Sequence, residues 1–192
     1  TTFTRHAIVG RMTEQFEALL DDVRDYVKMT DGTVEEEIGP EIQDGREIRG
    51  FRVGRAGYVY DVLGSPEADY FLLRFGFNLL ENLRNSGVDD PEAALASGDD
   101  AEMETLVLNL MREISHPSVE VGVETTDEGV FAAFTVERKL FVHDPSFGVR
   151  DFEEAVRAVV AQGDRGIKHL QLALDMGAEP EAGSRDDDKG FM

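Results

Sequence analysis

The chain contains no cysteine, and only four of its 19 basic side chains are lysines: Lys28, Lys139, Lys168 and Lys189. The absence of cysteine excludes a disulfide framework, a thiolate nucleophile and any thiolate-held metal. No stretch approaches the roughly 18 consecutive apolar residues of a membrane span. The opening residues, TTFTRHAIVGRMTEQF, lack the apolar core of a secretory leader. Together these absences lead to the expectation of a soluble, cytoplasmic protein with no membrane contact.

What is abundant is negative charge. Forty of 192 residues are Asp or Glu, the net charge is −21 and the isoelectric point is near 4.4. An acidic tail or a single acidic surface would concentrate the carboxylates, but here nearly every segment carries them, and arginine is kept where lysine is scarce. That pattern resembles the proteins of haloarchaea. Surface carboxylates hold hydrated cations, and at 1 M salt the Debye length is only about 3 Å, so self-repulsion is tolerated. A polyanionic surface also argues against nucleic acid as a partner, because it repels phosphates, although molar salt screens that repulsion.

The hydrophobic pattern gives the elements. Residues 11–29 place Met12, Phe16, Leu19, Leu20, Val23, Tyr26 and Val27 at steps of three and four, one stripe of an amphipathic helix. TVEEEI (33–38) reads as a short strand ending before Gly39-Pro40. REIRGFRV (46–53) and GYVYDVL (57–63) read as a hairpin around Gly54-Arg55-Ala56-Gly57. The apolar phase slips between Ile48 and Phe51, and Gly50 at the slip predicts a β-bulge. DYFLLRFGF (69–77) sets Phe71, Leu73, Phe75 and Phe77 on one face of a further strand. Residues 78–86 read as a short helix. Asp90 then caps a second helix with Pro91 at its first position and Gly98 past its end. Asp99 or Asp100 caps a third, whose stripe is Met103, Leu106, Val107, Leu110 and Ile114 and which Pro117 stops.

The last third has the clearest periodicity. SVEVGVET alternates Val119, Val121 and Val123 against Glu120 and Glu124. A turn at Asp127-Glu128-Gly129 leads to a strand with Val130, Ala132, Phe134, Val136, Leu140 and Val142 on one face. After the Pro145–Gly148 corner a long helix runs to about Met176, its stripe passing through Gly163. A glycine costs a helix about 1 kcal/mol, so one on the apolar stripe implies close packing, most simply against another backbone. GAEPEAGSRDDDKGFM (177–192) has no pattern and is expected to be a disordered acidic tail.

The order α-β-β-β-α-β-β-α, with a helical insertion at about 78–100, predicts one α+β domain over residues 1–176. Its core is an antiparallel sheet of about five strands with helices packed on one face. This order, and the wording from LVLNLMREISHPSVEVGVETTDEGVFAAFTVERKLFV to FEEAVRAVVAQGDRGIKHL, resemble the type III secretion chaperone-like fold, including its YbjN-type branch. Asn109, Asp127, Gly129, Phe152, Glu153 and Glu154 stand in places comparable to that family's, while the 78–100 insertion departs from it. The resemblance implies a small, often dimeric, non-enzymatic protein that binds polypeptide segments along its sheet or helix surfaces.

No residue cluster declares a reaction. His143, Asp144 and Ser146 sit at a strand-to-helix corner, yet neighbours on a strand point to opposite faces. Asp-Pro-Ser-Phe-Gly is turn chemistry throughout, so the corner reads as scaffold. His6, His116, His143 and His169 form no metal-ligand spacing, and neither a calcium loop nor a nucleotide loop is present. The expectation is no catalytic constellation, no metal and no cofactor. Arg46, Arg49, Arg52 and Arg55 put four arginines within ten residues of an acidic chain. With Tyr58 and Tyr60 they form the candidate polar recognition patch, suited to carboxylates by the guanidinium fork. The competing account pairs these arginines with Glu35, Glu36, Glu37 or Glu47 across strands.

Three functions follow as expectations. The first is a non-enzymatic protein-binding or chaperone-like module of a halophilic cytoplasm, with a polypeptide partner and a possible homodimer. The second is a small enzyme or ligand-binding protein with a site near Tyr58, Tyr60 and the arginine strand. The third is a ribosome- or RNA-associated factor. The spread of like charge also makes a stability prediction. Raising KCl from 0.1 to 2 M should increase the unfolding free energy, with Tm climbing about 2–4 °C per kcal/mol gained for a chain of this length. A salt-independent Tm in scanning calorimetry would contradict it.

Overall fold

The structure is a computed structural model and describes residues 2–43, 45–96 and 100–174. The expectations for the side chains of His6, Met12 and Asp100, for Gly98 and Asp99, and for the 177–192 tail fall outside what is described. Eleven elements follow in order: α1 (Thr2–Met29), β1 (Thr33–Gln43), β2 (Arg46–Arg55), β3 (Tyr58–Gly64), β4 (Phe71–Asn78), α2 (Leu79–Asn85), α3 (Pro91–Ala96), α4 (Asp100–Ile114), β5 (Glu120–Thr125), β6 (Phe131–Leu140) and α5 (Val149–Ala173). The class is α+β. The strands form one antiparallel sheet in the order β1-β2-β3-β4-β6-β5. The sheet has six strands rather than about five, because the acidic segment after α1 is a full strand.

That strand is where sequence patterning misled. β1 does not end before Gly39-Pro40 but runs through it to Gln43, with register shifts between Val34 and Glu36 and between Ile38 and Glu41. Proline is tolerated there because β1 is an edge and needs no ladder donor on its outer side. The bulge expected at Gly50 of β2 therefore lies across from it, in β1, while β2 pairs without interruption with β3 from Arg49↔Gly64 to Arg55↔Tyr58. Ile48 is not a slipped core residue; it faces the other side of the sheet. The hairpin between β2 and β3 turns on two residues, Ala56 (φ +51°) and Gly57 (φ +84°). Positive φ at both centres defines the tight turn whose twist matches that of paired strands.

One face of the sheet holds the core. Phe16, Leu20, Val23 and Val27 of α1 are buried there with Phe51, Val53, Tyr60, Val62, Phe71, Leu73, Phe75, Phe134, Val136 and Leu140 of the strands, and with Phe152, Val156, Val159 and Leu170 of α5. Phe16 stacks on Phe71 at 5.4 Å between centroids. α4 adds Leu110 and Ile114. Asp90 caps α3 as its sequence predicts, its Oδ1 accepting the Ala93 N–H at 3.1 Å.

α5 is seated through its glycines. A Cβ on Gly163 would run into the ring of Phe75, and one on Gly166 would meet Phe134 Cζ at 2.6 Å and Ile114 Cγ2 at 3.2 Å. The close packing expected at Gly163 is present, but against an aromatic ring rather than a backbone. Gly163→Ala would gain about 1 kcal/mol of helix propensity and incur about 1–3 kcal/mol of overpacking. Net destabilisation of about 1 kcal/mol is expected, read as a lower urea midpoint in 2 M KCl; an unchanged or higher midpoint would show that Phe75 can give way.

Candidate functional site

The arginine strand does not present one patch. Alternation along β2 sends Arg49 and Arg55 to the helix-covered face with Phe51 and Val53, and Arg46 and Arg52 to the opposite face with Ile48. Arg49 pairs with Glu47 and, at 2.5 Å, with Glu17 of α1. Arg52 reaches Asp61 at 2.9 Å and Glu36 at 3.0 Å. One of the cross-strand pairs expected from the sequence, Arg52–Glu36, is thus made, whereas Arg49 and Glu47 pair within β2 itself. Arg46 is exposed and makes no ion pair among the described residues; it lines a shallow recess of about 100 Å³ with Ile48, Leu63, Tyr70, Leu72 and Arg74.

On that outer face the register aligns one charge per strand into a row. Glu36 pairs with Arg52, Arg52 with Asp61, Asp61 with Arg74, Arg74 with Glu137, and Glu137 with Glu120. Arg74 Nε lies 2.5 Å from Glu137, and Lys139 Nζ takes Glu120 at 2.8 Å. Signs alternate until the last step, where Lys139 offsets the like pair. Directly opposed charges of opposite sign are worth up to about 1 kcal/mol each, so the row fixes strand register more than it adds stability.

The other arginine and both tyrosines lie at the hairpin tip, where β2 and β3 end over α5. Arg55 donates from Nη1 and Nη2 to the two oxygens of Glu153, at 2.7 and 3.0 Å. Arg157 Nε donates to the same carboxylate at 2.7 Å. The Tyr58 hydroxyl donates to Asp164 Oδ1 at 3.0 Å, and Lys168 takes Oδ2 at 2.7 Å. Tyr60 lies beneath, 1% exposed, and its hydroxyl has no hydrogen-bond partner among the described residues; burial pushes its pKa up to about 12. Hydrogen bonding from Arg55, with a smaller contribution from Arg157, holds the Glu153 carboxyl below its usual value against the opposing effect of burial.

Two open clefts flank the Tyr58–Asp164 bridge. One, about 440 Å³, is a mainly apolar trough bounded by Arg55, Tyr58, Val156, Arg157, Val160 and Ala161. The other, about 470 Å³, lies between Tyr58, Val59, Phe75, Gly76 and Lys168. It exists because the β3–β4 ladder stops at Asp61↔Arg74, while β4 continues to pair with β6 as far as Asn78. Among the described residues, no ladder joins Tyr58–Tyr60 to Phe75–Asn78, so the sheet forks there. The α5 side of these clefts was not singled out from the sequence. The signal was available in Glu153/Arg157 and Asp164/Lys168, both acidic-to-basic at i,i+4 on one helix.

The corner at His143 is built as a turn. Asp144 Oδ1 accepts the Ser146 N–H at 2.9 Å and its hydroxyl at 2.8 Å, and these bonds, the backbone one first, lower the Asp144 pKa. His143 is exposed and borders a pocket of about 240 Å³ with Phe16, Leu19, Tyr70 and Phe71. Among the described residues no three His, Asp or Glu side chains converge as a metal site would require. No described helix is long and apolar enough to cross a membrane.

The architecture is shared. A crystal structure of an uncharacterized protein from Methanothermobacter thermautotrophicus superposes with a TM-score of 0.60 at 9% identity, over 82% of this chain and 98% of that one. At that identity the likeness is one of fold. No family model and no curated protein matches the sequence.

The Glu153 pair has a pH signature. Its folded pKa is depressed, so its stabilisation is present above the unfolded carboxyl value of about 4.3 and is lost as pH falls through the lower folded value. Glu153→Gln should therefore cost about 1–2 kcal/mol at pH 7 and progressively less between pH 5 and 3, measured as paired urea titrations in 2 M KCl. A cost that stays constant to pH 3 would mean the charge of Glu153 is not what the arginines hold.

Proposed function

We propose that the chain is a non-enzymatic, polypeptide-binding module of a salt-rich cytoplasm, working as a dimer of the type III secretion chaperone-like kind. The observation that carries the reading is the fork between β3 and β4. Two strand edges face each other across a cleft of about 470 Å³ without a ladder between them, and a sheet edge is the feature to which an extended peptide adds as a strand. The trough beside it, about 440 Å³, adds apolar surface along the same side of α5. Both clefts are open to solvent, which suits a polymer segment; small-molecule sites enclose most of their ligand.

A second reading rests on the trough alone. A volume of several hundred Å³ lined by Arg55 and Tyr58 also fits a small amphiphilic ligand. It leaves the fork without a role, so the polypeptide reading comes first.

Hydrogen exchange in 2 M KCl distinguishes them, with carboxymethylated α-lactalbumin as a permanently unfolded probe. Added probe should slow exchange at residues 56–60 and 75–78 and along the middle of α5. Exchange unaltered at these segments, or slowed only at the β1 or β5 edge, would remove the proposed groove.

A further inference from the structure

Resting on the polypeptide reading, we infer that the segment this groove takes is acidic and apolar in alternation: a carboxylate set on Arg157 and Arg55, with a neighbouring aliphatic side chain in the trough over Val156, Val160 and Ala161.

The rim already holds a carboxylate in the required manner. Glu153 is 18% exposed at its side chain and is gripped by two guanidiniums, Arg55 through both Nη atoms and Arg157 through Nε. Arg157 is 77% exposed at its side chain, and its Nη groups make no hydrogen bond to a described residue. A planar fork of this kind has the donors to accept a second carboxylate beside the first. The charges lining the two clefts are Arg55, Arg157 and Lys168 against Glu153 and Asp164. The lining is thus locally cationic in a chain of net charge −21.

The long-range field argues for a cationic partner and the local one for an anionic partner, so the decision is one of range. At 1 M salt the Debye length is about 3 Å. A partner then feels the groups it touches and little of the remaining carboxylates. Contact chemistry wins, and the groups in contact are arginines next to an apolar floor. The register of an extended chain matches this arrangement: side chains one residue apart point to opposite sides, and alternating positions share a face. An extended segment lying in the trough can therefore turn its acidic residues to the arginine rim and its aliphatic residues to the floor of Val156, Val160 and Ala161.

The test uses fluorescein-labelled peptides with the repeats Glu-Leu, Lys-Leu, Ser-Leu and Glu-Ser, in fluorescence anisotropy against the full chain at 2 M and 0.5 M KCl. At 2 M KCl the Glu-Leu peptide should bind at least tenfold tighter than the other three, and its advantage over Lys-Leu should narrow at 0.5 M, where the long-range field of the carboxylates returns. Arg157→Glu should abolish or reverse the preference for Glu-Leu over Lys-Leu, and Arg157→Gln should weaken it without reversal. The exposure of Arg157 lets both variants keep the fold, which circular dichroism checks. Equal affinity for all four peptides, or a preference untouched by Arg157→Glu, overturns the inference. If carboxymethylated α-lactalbumin still protects the groove in that case, the polypeptide reading stands without it; if the probe and all four peptides fail, both fall.

Discussion

The contact on which the rest of this structure depends is an aromatic ring lying on a helix backbone. Phe75 of β4 packs against Gly163, and Phe134 of β6 packs against Gly166 just under one turn further along. These contacts bring α5 closer to the sheet than side chains at either position would allow. A helix seated so low has its flanks level with the strand ends. Glu153 can then reach Arg55, and Asp164 can reach Tyr58, two anchors eleven residues apart and so separated by about 16 Å of helix. The trough is the interval between those anchors, floored by the small and β-branched residues of α5. The fork belongs to the same geometry: adjacent strands rotate by about 20–25° relative to one another, so a ladder over a straight helix is prone to open at one end.

Electrostatics divides into two scales. The distributed carboxylates make the whole chain repel itself at low salt, whereas the ion pairs that matter for shape are contacts of 2.5–3.0 Å. Salt suppresses the first and leaves much of the second, because no mobile ion fits between two groups already in contact. A surface of this kind trades stability in dilute solution for selectivity in concentrated solution, where neighbours are judged by the few groups they touch.

Much of the architecture was legible in the sequence, for physical reasons that can be named. The stripes of α1, α4 and α5 follow from the 3.6-residue period, and the buried residues Phe71, Leu73 and Phe75 of β4 follow from strict alternation. The same rules failed where a residue served a local role that mimics a break. Gly39-Pro40 looked like the end of a strand but is an irregularity on an edge, and Ile48 looked like a phase slip but faces the outer side. The candidate patch was legible only as a composition. Alternation assigned its arginines to two faces, and what Arg55 and Tyr58 meet lies about 100 residues away, on α5. Spacing within one segment carries no information about such a pairing.

The ion pairs also explain why the chain keeps arginine and sheds lysine. Arg24 holds Asp21 and Glu37, Arg49 holds Glu17 and Glu47, and Arg52 holds Glu36 and Asp61; among the described residues Lys28 and Lys139 each hold one carboxylate. In each arginine case a single cation ties together groups from two or three different segments of the chain. Valency, not charge alone, is then what these positions use. A drift from arginine to lysine would leave the isoelectric point almost unchanged while cutting the mechanical links between α1, β1 and β3. In a chain with 19 basic residues against 40 acidic ones, a side chain that can fasten two anions at once does the work of two.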